Sequence, residues 1–78
     1  MITSEQVRAA RMLLRWEQKD LAGKAGVSLP TIKRLETQPG ELRAHSSTLS
    51  AITRAIEAAG VIFIPENGGG PGVRLKKA

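Results

Sequence analysis

The sequence predicts a mainly α-helical protein, with four helices in the first 60 residues and a C-terminal β-hairpin over residues 61–78. Apolar residues recur at helical spacing as far as Gly60. A β-branched and aromatic run, Val61–Ile64, then follows and favours a strand. A glycine-rich turn separates that run from residues that alternate between apolar and basic. A chain of 78 residues is long enough for one such domain and not for two.

The composition limits the possible functions. The chain has 12 Lys and Arg against 7 Asp and Glu, a net charge of +5, which favours a polyanionic partner, nucleic acid before a membrane. It has no Cys and a single His, so disulfides and thiolate metal sites are excluded. We expect no cofactor, no metal and no enzymatic activity. The N-terminus lacks the features of a signal peptide, and we expect a cytoplasmic protein without a membrane partner.

The first helix is predicted from its beginning and from its apolar side. Thr3 is a good N-cap, and Gln6 stands at the third helical position, which completes a capping box. Val7, Ala10 and Leu14 then follow at helical spacing.

A second helix is expected from about residue 18 to residue 25. Leu21, Ala22 and Ala25 form its apolar side. Gly26 has no Cβ and suits the left-handed position after a helix. Glu17 stands where the N-cap is expected, although glutamate caps poorly.

The third and fourth helices also have recognisable ends. Ser28 is the N-cap of the third helix, and Pro30 lies in its first turn, where a missing N–H costs nothing. Residues 37–40 end that helix. After a loop over residues 43–45, Ser46 or Ser47 is expected to cap the fourth helix. Its apolar stripe is Leu49, Ile52, Ile56 and Ala59, and Gly60 ends it.

Residues 18–35 have the spacing of a helix-turn-helix motif. Two short helices that cross steeply around a tight turn need a small residue inside the first helix, which Ala22 supplies. They also need a residue that tolerates positive φ at the turn, which Gly26 supplies. Apolar side chains must lie behind both helices, and the sequence has five: Leu21, Ala25, Val27, Ile32 and Leu35.

The segment WEQKDLAGKAGVSLPTIKRLE resembles the core of the XRE family, the Cro/cI-type helix-turn-helix regulators of phages and bacteria. The preceding VRAARMLLR resembles that family's first helix, and the likeness extends over residues 3–60. The resemblance implies a four-helix Cro/cI-like DNA-binding domain over residues 1–60, with its recognition helix over residues 29–36. It also implies dimers that place this helix in the major groove.

The resemblance implies roles for individual residues. Gln18 matches a glutamine that contacts a backbone phosphate and supports the recognition helix. Arg34 matches a base-contacting position, and Arg43 lies in a loop that follows the DNA backbone. Arg11 and Glu36 match an ion pair between the first and third helices. The expected DNA contacts are Gln18, Ser28, Leu29, Pro30, Thr31, Lys33, Arg34 and Arg43.

Two features depart from the family pattern, and some residues have simpler interpretations. Leu29 and Pro30 can pack on thymine methyl groups but cannot read a hydrogen-bond pattern, so specificity depends mainly on Arg34.

The simpler interpretation of Lys33 and Arg34 is that they form an ordinary solvated helix face with no role in DNA binding. His45 is either an exposed loop residue or a phosphate contact next to a helix N-terminus. Glu17 is the second departure, because it places a negative charge near the expected phosphate path.

The predicted strand is the expected dimerisation element. Four consecutive apolar residues leave some side chains facing outward, because so small a domain has little to cover them, and an exposed edge strand is a pairing site. Phage Cro proteins can dimerise through a C-terminal strand. The residues concerned are Val61, Ile62, Phe63 and Ile64.

The expected function is sequence-specific binding of double-stranded DNA by a homodimer on a palindromic operator, which regulates transcription. The alternative is an antitoxin-type interaction protein that neutralises a partner through the hairpin and basic tail and regulates its own gene through the same DNA-binding domain. If the protein has a protein partner, the expected partner is a toxin or RNA polymerase.

Overall fold

The protein has four helices followed by a two-stranded antiparallel hairpin, as the sequence predicts. The structure is a computed structural model that describes residues 2–77, so residues 1 and 78, the outer ends of the two predicted segments, lie outside it. The elements are α1 (Ser4–Leu14), α2 (Gln18–Ala25), α3 (Leu29–Thr37), α4 (Ser46–Ala58), β1 (Val61–Ile64) and β2 (Gly72–Leu75).

The predicted caps of α1 and α3 are present. The Thr3 hydroxyl accepts from the Gln6 backbone N–H at 3.1 Å, and the Thr3 N–H donates to Gln6 Oε1 at 2.8 Å. The Ser28 hydroxyl accepts from the Thr31 N–H at 3.3 Å, with Pro30 in the first turn of α3. Gly26 takes the left-handed conformation after α2, with a φ of 68°. These signals are local, and the structure confirms them.

One helix end has a conformation that the sequence did not indicate, and another differs from its prediction. Arg15 follows α1 in the left-handed conformation, with a φ of 57°, although no glycine marks this position. The fourth helix begins at Ser46, so the prediction that Ser46 or Ser47 is its N-cap is wrong. His45 takes that position, because the chain is still extended there (ψ 148°), and its side chain makes no capping hydrogen bond.

The weak cap of α2 is compensated within the same turn. Glu17 stands at the N-cap, and its backbone N–H donates to Asp20 Oδ2 at 2.7 Å. A carboxylate in the first turn also interacts favourably with the helix dipole. The third helix, predicted over residues 29–36, extends to Thr37, whose hydroxyl donates to the Arg34 carbonyl at 2.8 Å.

The hydrophobic core lies where the helices meet the hairpin. α2 packs against α3 and α4, and α1 packs against α3 and both strands. The buried apolar residues come from every helix, from β1 and from the loop before α4: Val7, Ala10, Leu21, Ala22, Ile32, Leu35, Leu42, Ile52, Ile56 and Val61.

The hairpin is fixed to the beginning of α1 by one buried side chain. Ile64 lies opposite Gly72 at the loop end of the hairpin. Gln6 Nε2 donates to the backbone carbonyls of both residues, at 3.0 Å each, and only 4% of Gln6 is exposed. Gln6 therefore serves the cap of α1 and the hairpin at once.

The chain's own helices cover one face of β1 and leave the other partly exposed, so the expectation that some of its side chains face outward holds. Val61 is a core residue with 2% of its surface exposed, and Phe63 packs against the core. The hairpin folds back over α1, and α4 packs against β1, so the chain's own helices supply the cover. Ile62 and Ile64, on the other face of the strand by alternation, are half-buried.

Candidate nucleic-acid interface

The exposed side of α3 is polar and basic. Ile32, Leu35 and Glu36 are the buried residues of this helix, and they fix it against the core. Pro30, Lys33 and Arg34 are exposed. Because residues three or four apart lie on the same face of a helix, these three side chains form one outward surface.

A groove lies on one side of α3, where it meets the beginning of α2. Leu29 and Lys33 line it from α3, and Gln18 and Lys19 line it from α2. Its volume is about 420 Å³. We call it the α2 groove, and the remaining residues of its lining are Arg11 and Glu17.

A second groove lies on the opposite side of α3, between α3, the following loop and the beginning of α4. Its volume is about 510 Å³, and none of the six residues that line it is acidic. Arg34, Arg43 and His45 are exposed around it, and all three can be cationic. We call it the α4 groove, lined by Thr31, Arg34, Arg43, Ala44, His45 and Thr48.

Glu36 connects three helices beneath the interface. Arg11 donates to both of its carboxylate oxygens, from Nε and Nη2, at 2.7 Å each. Gln18 Nε2 donates to Glu36 Oε1 at 3.2 Å, and Arg8 Nη1 donates to the Glu36 carbonyl. The ion pair that the family resemblance implied between Arg11 and Glu36 is confirmed. The same carboxylate holds Gln18 at the beginning of α2.

The loop that leads to Arg43 is fixed by residues at the beginning of α1. The Ser4 N–H donates to the Gly40 carbonyl at 2.8 Å, and Leu42 N–H donates to the Ile2 carbonyl at 3.2 Å. The Glu5 carboxylate accepts from the Gly40 N–H at 3.1 Å. Its own backbone N–H and that of Gly40 lower the pKa of Glu5, so this carboxylate stays charged and keeps its contact with the loop.

The structure divides the predicted DNA contacts between the two sides of α3. Gln18, Leu29 and Lys33 meet in the α2 groove, and Thr31, Arg34 and Arg43 meet in the α4 groove. Pro30 lies between the two groups on the exposed face. The Ser28 hydroxyl lies 2.8 Å from the Thr31 hydroxyl, so it is engaged within the helix start.

Six residues that line the grooves were not among the predicted contacts: Arg11, Glu17, Lys19, Ala44, His45 and Thr48. Lys19 lines the α2 groove beside Gln18, and Thr48 lines the α4 groove from the first turn of α4. The position of Lys19 next to Gln18 in an exposed first turn was a signal in the sequence. Thr48 had none, because its place depends on how α4 packs beside α3. The predicted dimerisation residues lie apart, in the hairpin.

The chain was compared with known proteins and searched for other sites. Within residues 2–77 no three His, Asp or Glu side chains are grouped so that they could hold a metal ion, and no helix is long and apolar enough to cross a membrane. No protein-family model matches the chain, and no curated protein matches it significantly.

Proposed function

We propose that this protein is a Cro/cI-like helix-turn-helix protein that binds specific double-stranded DNA sequences as a homodimer and regulates transcription. One observation supports this most directly: α3 presents an exposed basic face between two grooves, one on each of its sides. A major groove about 12 Å wide admits one helix. With α3 inside it, the α2 groove and the α4 groove face the phosphates along its two edges.

Under this proposal the basic side chains of α3 have two roles, phosphate contact and base recognition. Lys33 lies in the α2 groove with Gln18 and Lys19, away from the centre of the exposed face, and contacts phosphate. Arg34 reads a guanine edge, a contact worth roughly 1–3 kcal/mol of discrimination. Pro30 lies exposed beside it and packs on a thymine methyl group.

The hydrogen bonds that Glu36 accepts from Arg11 and Gln18 support the proposed contact between Gln18 and a phosphate. A side-chain amide held by a buried carboxylate has lost its freedom before DNA arrives, so it costs less to order on binding. The glutamine is thereby oriented at the N-terminus of α2, where helix N–H groups favour a phosphate.

The homodimer remains part of the proposal. Only part of the hairpin surface is available for contact between its two subunits. Val61 and Phe63 face the chain's own core, which leaves the outer face with Ile62 and Ile64. The edge of β2 is a poorer pairing site, because charged residues protect sheet edges. Those residues are Arg74, Lys76 and Lys77. Two α3 helices about 34–36 Å apart then meet half-sites one helical turn apart.

The test is selection from a random duplex pool with wild type and with Arg34→Ala in parallel. Arg54→Ala is the matched control, because Arg54 is an exposed arginine on α4 that lines neither groove. We expect wild type and the control to enrich the same palindrome. Arg34→Ala should lose preference at one symmetric base pair in each half-site. Failure of wild type to enrich any sequence would contradict the proposed function.

A second candidate function is that of an antitoxin-type protein with a protein partner. The observation that favours it is three exposed apolar side chains outside α3: Met12 is 71% exposed, Leu13 40% and Leu75 50%. A partner retained by wild type and lost from a Leu13→Lys variant that still binds DNA would support this function. Toxins and RNA polymerase are the classes to test.

A further inference from the structure

We propose that the α4 groove binds a phosphate of the DNA backbone together with a proton on His45, so that the DNA affinity of this protein rises as the pH falls. The inference rests on the proposed DNA binding and adds to it a residue and a response to pH. It starts from the convergence of three side chains that belong to three different segments: Arg34 from α3, Arg43 from the loop and His45 from the beginning of α4.

The groove has the chemistry of an anion site. The Arg43 guanidinium keeps its charge at every physiological pH and is well suited to phosphate oxygens, and Arg34, proposed to read a guanine, adds its positive charge to the same groove. Thr48 adds a hydroxyl from the first turn of α4. None of the lining residues is acidic, so no side chain of the groove competes with a phosphate for these donors.

The side chain of His45 is available for this role. It stands at the N-cap of α4 but makes no hydrogen bond to the helix, and it is exposed beside the groove. Its backbone is held by a loop that pairs with the beginning of α1 through Gly40 and Leu42. The imidazole is therefore presented from a fixed part of the chain, on the side of α3 that carries Arg34.

A proton on this imidazole is coupled to phosphate binding. Histidine is the side chain that changes charge between about pH 5 and pH 8. The charged groups that face it are Arg34 on α3 and Arg43 on the loop, and the residues of α4 nearest to it, Ser46, Ser47 and Thr48, are uncharged. A bound phosphate is then the one anion in the groove, and its charge favours the protonated imidazole. Binding takes up a proton, and affinity falls as pH rises.

The experiment measures affinity for a duplex of arbitrary sequence, so it needs no operator. Titrations run at constant ionic strength between about pH 5.5 and pH 8.5, across the range in which histidine changes charge. For one linked proton per chain, the wild-type association constant should fall by up to about tenfold per pH unit for each bound chain, hence by up to about a hundredfold for a bound homodimer. His45→Gln should bind with a nearly constant affinity, close to that of wild type at high pH.

Two further variants separate charge from structure. His45→Arg keeps a permanent charge at this position, so it should bind tightly at every pH with no slope. Arg54→Gln removes a cation from α4 outside the groove, so it should weaken binding slightly and leave the wild-type slope intact. If wild type binds DNA and His45→Gln keeps the wild-type slope, the inference is wrong while the proposed function stands. If wild type binds no duplex at any pH, the proposed function fails with it.

A spectroscopic readout tests the groove without DNA. The chain has a single His, so the imidazole proton signals of untagged protein are assigned without ambiguity. Inorganic phosphate should shift them in a saturable way in wild type, and Arg43→Gln should abolish most of the response. An equal response in both proteins would place the anion outside the α4 groove and overturn the assignment.

Discussion

At the scale of single residues, Glu36 shows how a buried charge becomes part of an interface. It is 4% exposed, yet its carboxylate accepts hydrogen bonds from Arg11 on α1 and Gln18 on α2. A buried carboxylate is tolerated only when it is paired and its oxygens are satisfied. Here the same pairing that satisfies the charge also orients a residue proposed to contact phosphate.

Removal of this carboxylate should cost stability. Glu36→Ala leaves the Arg11 guanidinium, with only 14% of its side chain exposed, without its partner. Breaking a buried ion pair typically costs about 3–5 kcal/mol, and we expect the free energy of unfolding in urea to fall by the lower part of this range. Replacing both partners with Arg11→Met and Glu36→Leu should restore part of the loss, because no charge is left unpaired.

The control is Glu41→Ala, since Glu41 is exposed and forms no ion pair among residues 2–77. Its free energy of unfolding should match that of wild type. A Glu36→Ala protein as stable as this control would mean that the hydrogen bonds to Glu36 contribute nothing to the stability of the fold.

At the scale of elements, the helices and the hairpin differ in how their positions are fixed. The beginnings of α1 and α3 follow from local signals, Thr3 with Gln6 for α1 and Ser28 for α3. The hairpin depends on a contact across 58 residues or more, from Gln6 to the carbonyls of Ile64 and Gly72. Its place against α1 is therefore a tertiary property.

Gln6→Leu should loosen the hairpin while the helices persist. The substitution leaves the two carbonyls and the Thr3 N–H without their partner, and an unsatisfied buried group costs about 1–3 kcal/mol. Amide hydrogen exchange should accelerate most in β1 and β2. Gln38→Leu, at an exposed glutamine, is the control and should leave the exchange rates unchanged. Uniform acceleration over all helices would contradict a local role for Gln6.

At the scale of the whole molecule, the proposed function requires two copies of the chain to bind a palindrome, and the hairpin limits how two copies can meet. The outer face of β1 is apolar, whereas β2 and the residues after it are basic. A dimer that uses the outer face of β1 brings the apolar side chains of Ile62 and Ile64 together, with Arg74 opposite Ile62 on the same face.

If the proposed dimer forms through the outer face of β1, Ile62→Glu should convert it to a monomer. It places a charge on the outer face of β1, while the cross-strand neighbour Arg74 offers the new carboxylate an opposite charge and keeps the hairpin stable. Sedimentation equilibrium should give the monomer mass for this variant. Leu75→Glu is the control on β2 and should remain dimeric. If Ile62→Glu is also dimeric, the subunits meet at another surface.

The sequence by itself determined the four helices, their caps at Thr3 and Ser28, the turn at Gly26 and the existence of the hairpin. It also indicated most residues of the candidate interface, because a helix start and an apolar stripe depend on neighbours a few residues apart. The likeness of residues 3–60 to a known family added the pairing of Arg11 with Glu36.

Only the tertiary structure decided which residues meet. It buried Val61 against helices that precede it in the chain and left Ile62 and Ile64 half-buried, a choice between the two faces of the strand that the sequence left open. It also brought His45 and Thr48 beside Arg34, although the loop separates them from α3. The physical reason is the same in both cases. Packing brings together segments that are distant in sequence. The residue pattern within one segment does not indicate which other segment will pack against it.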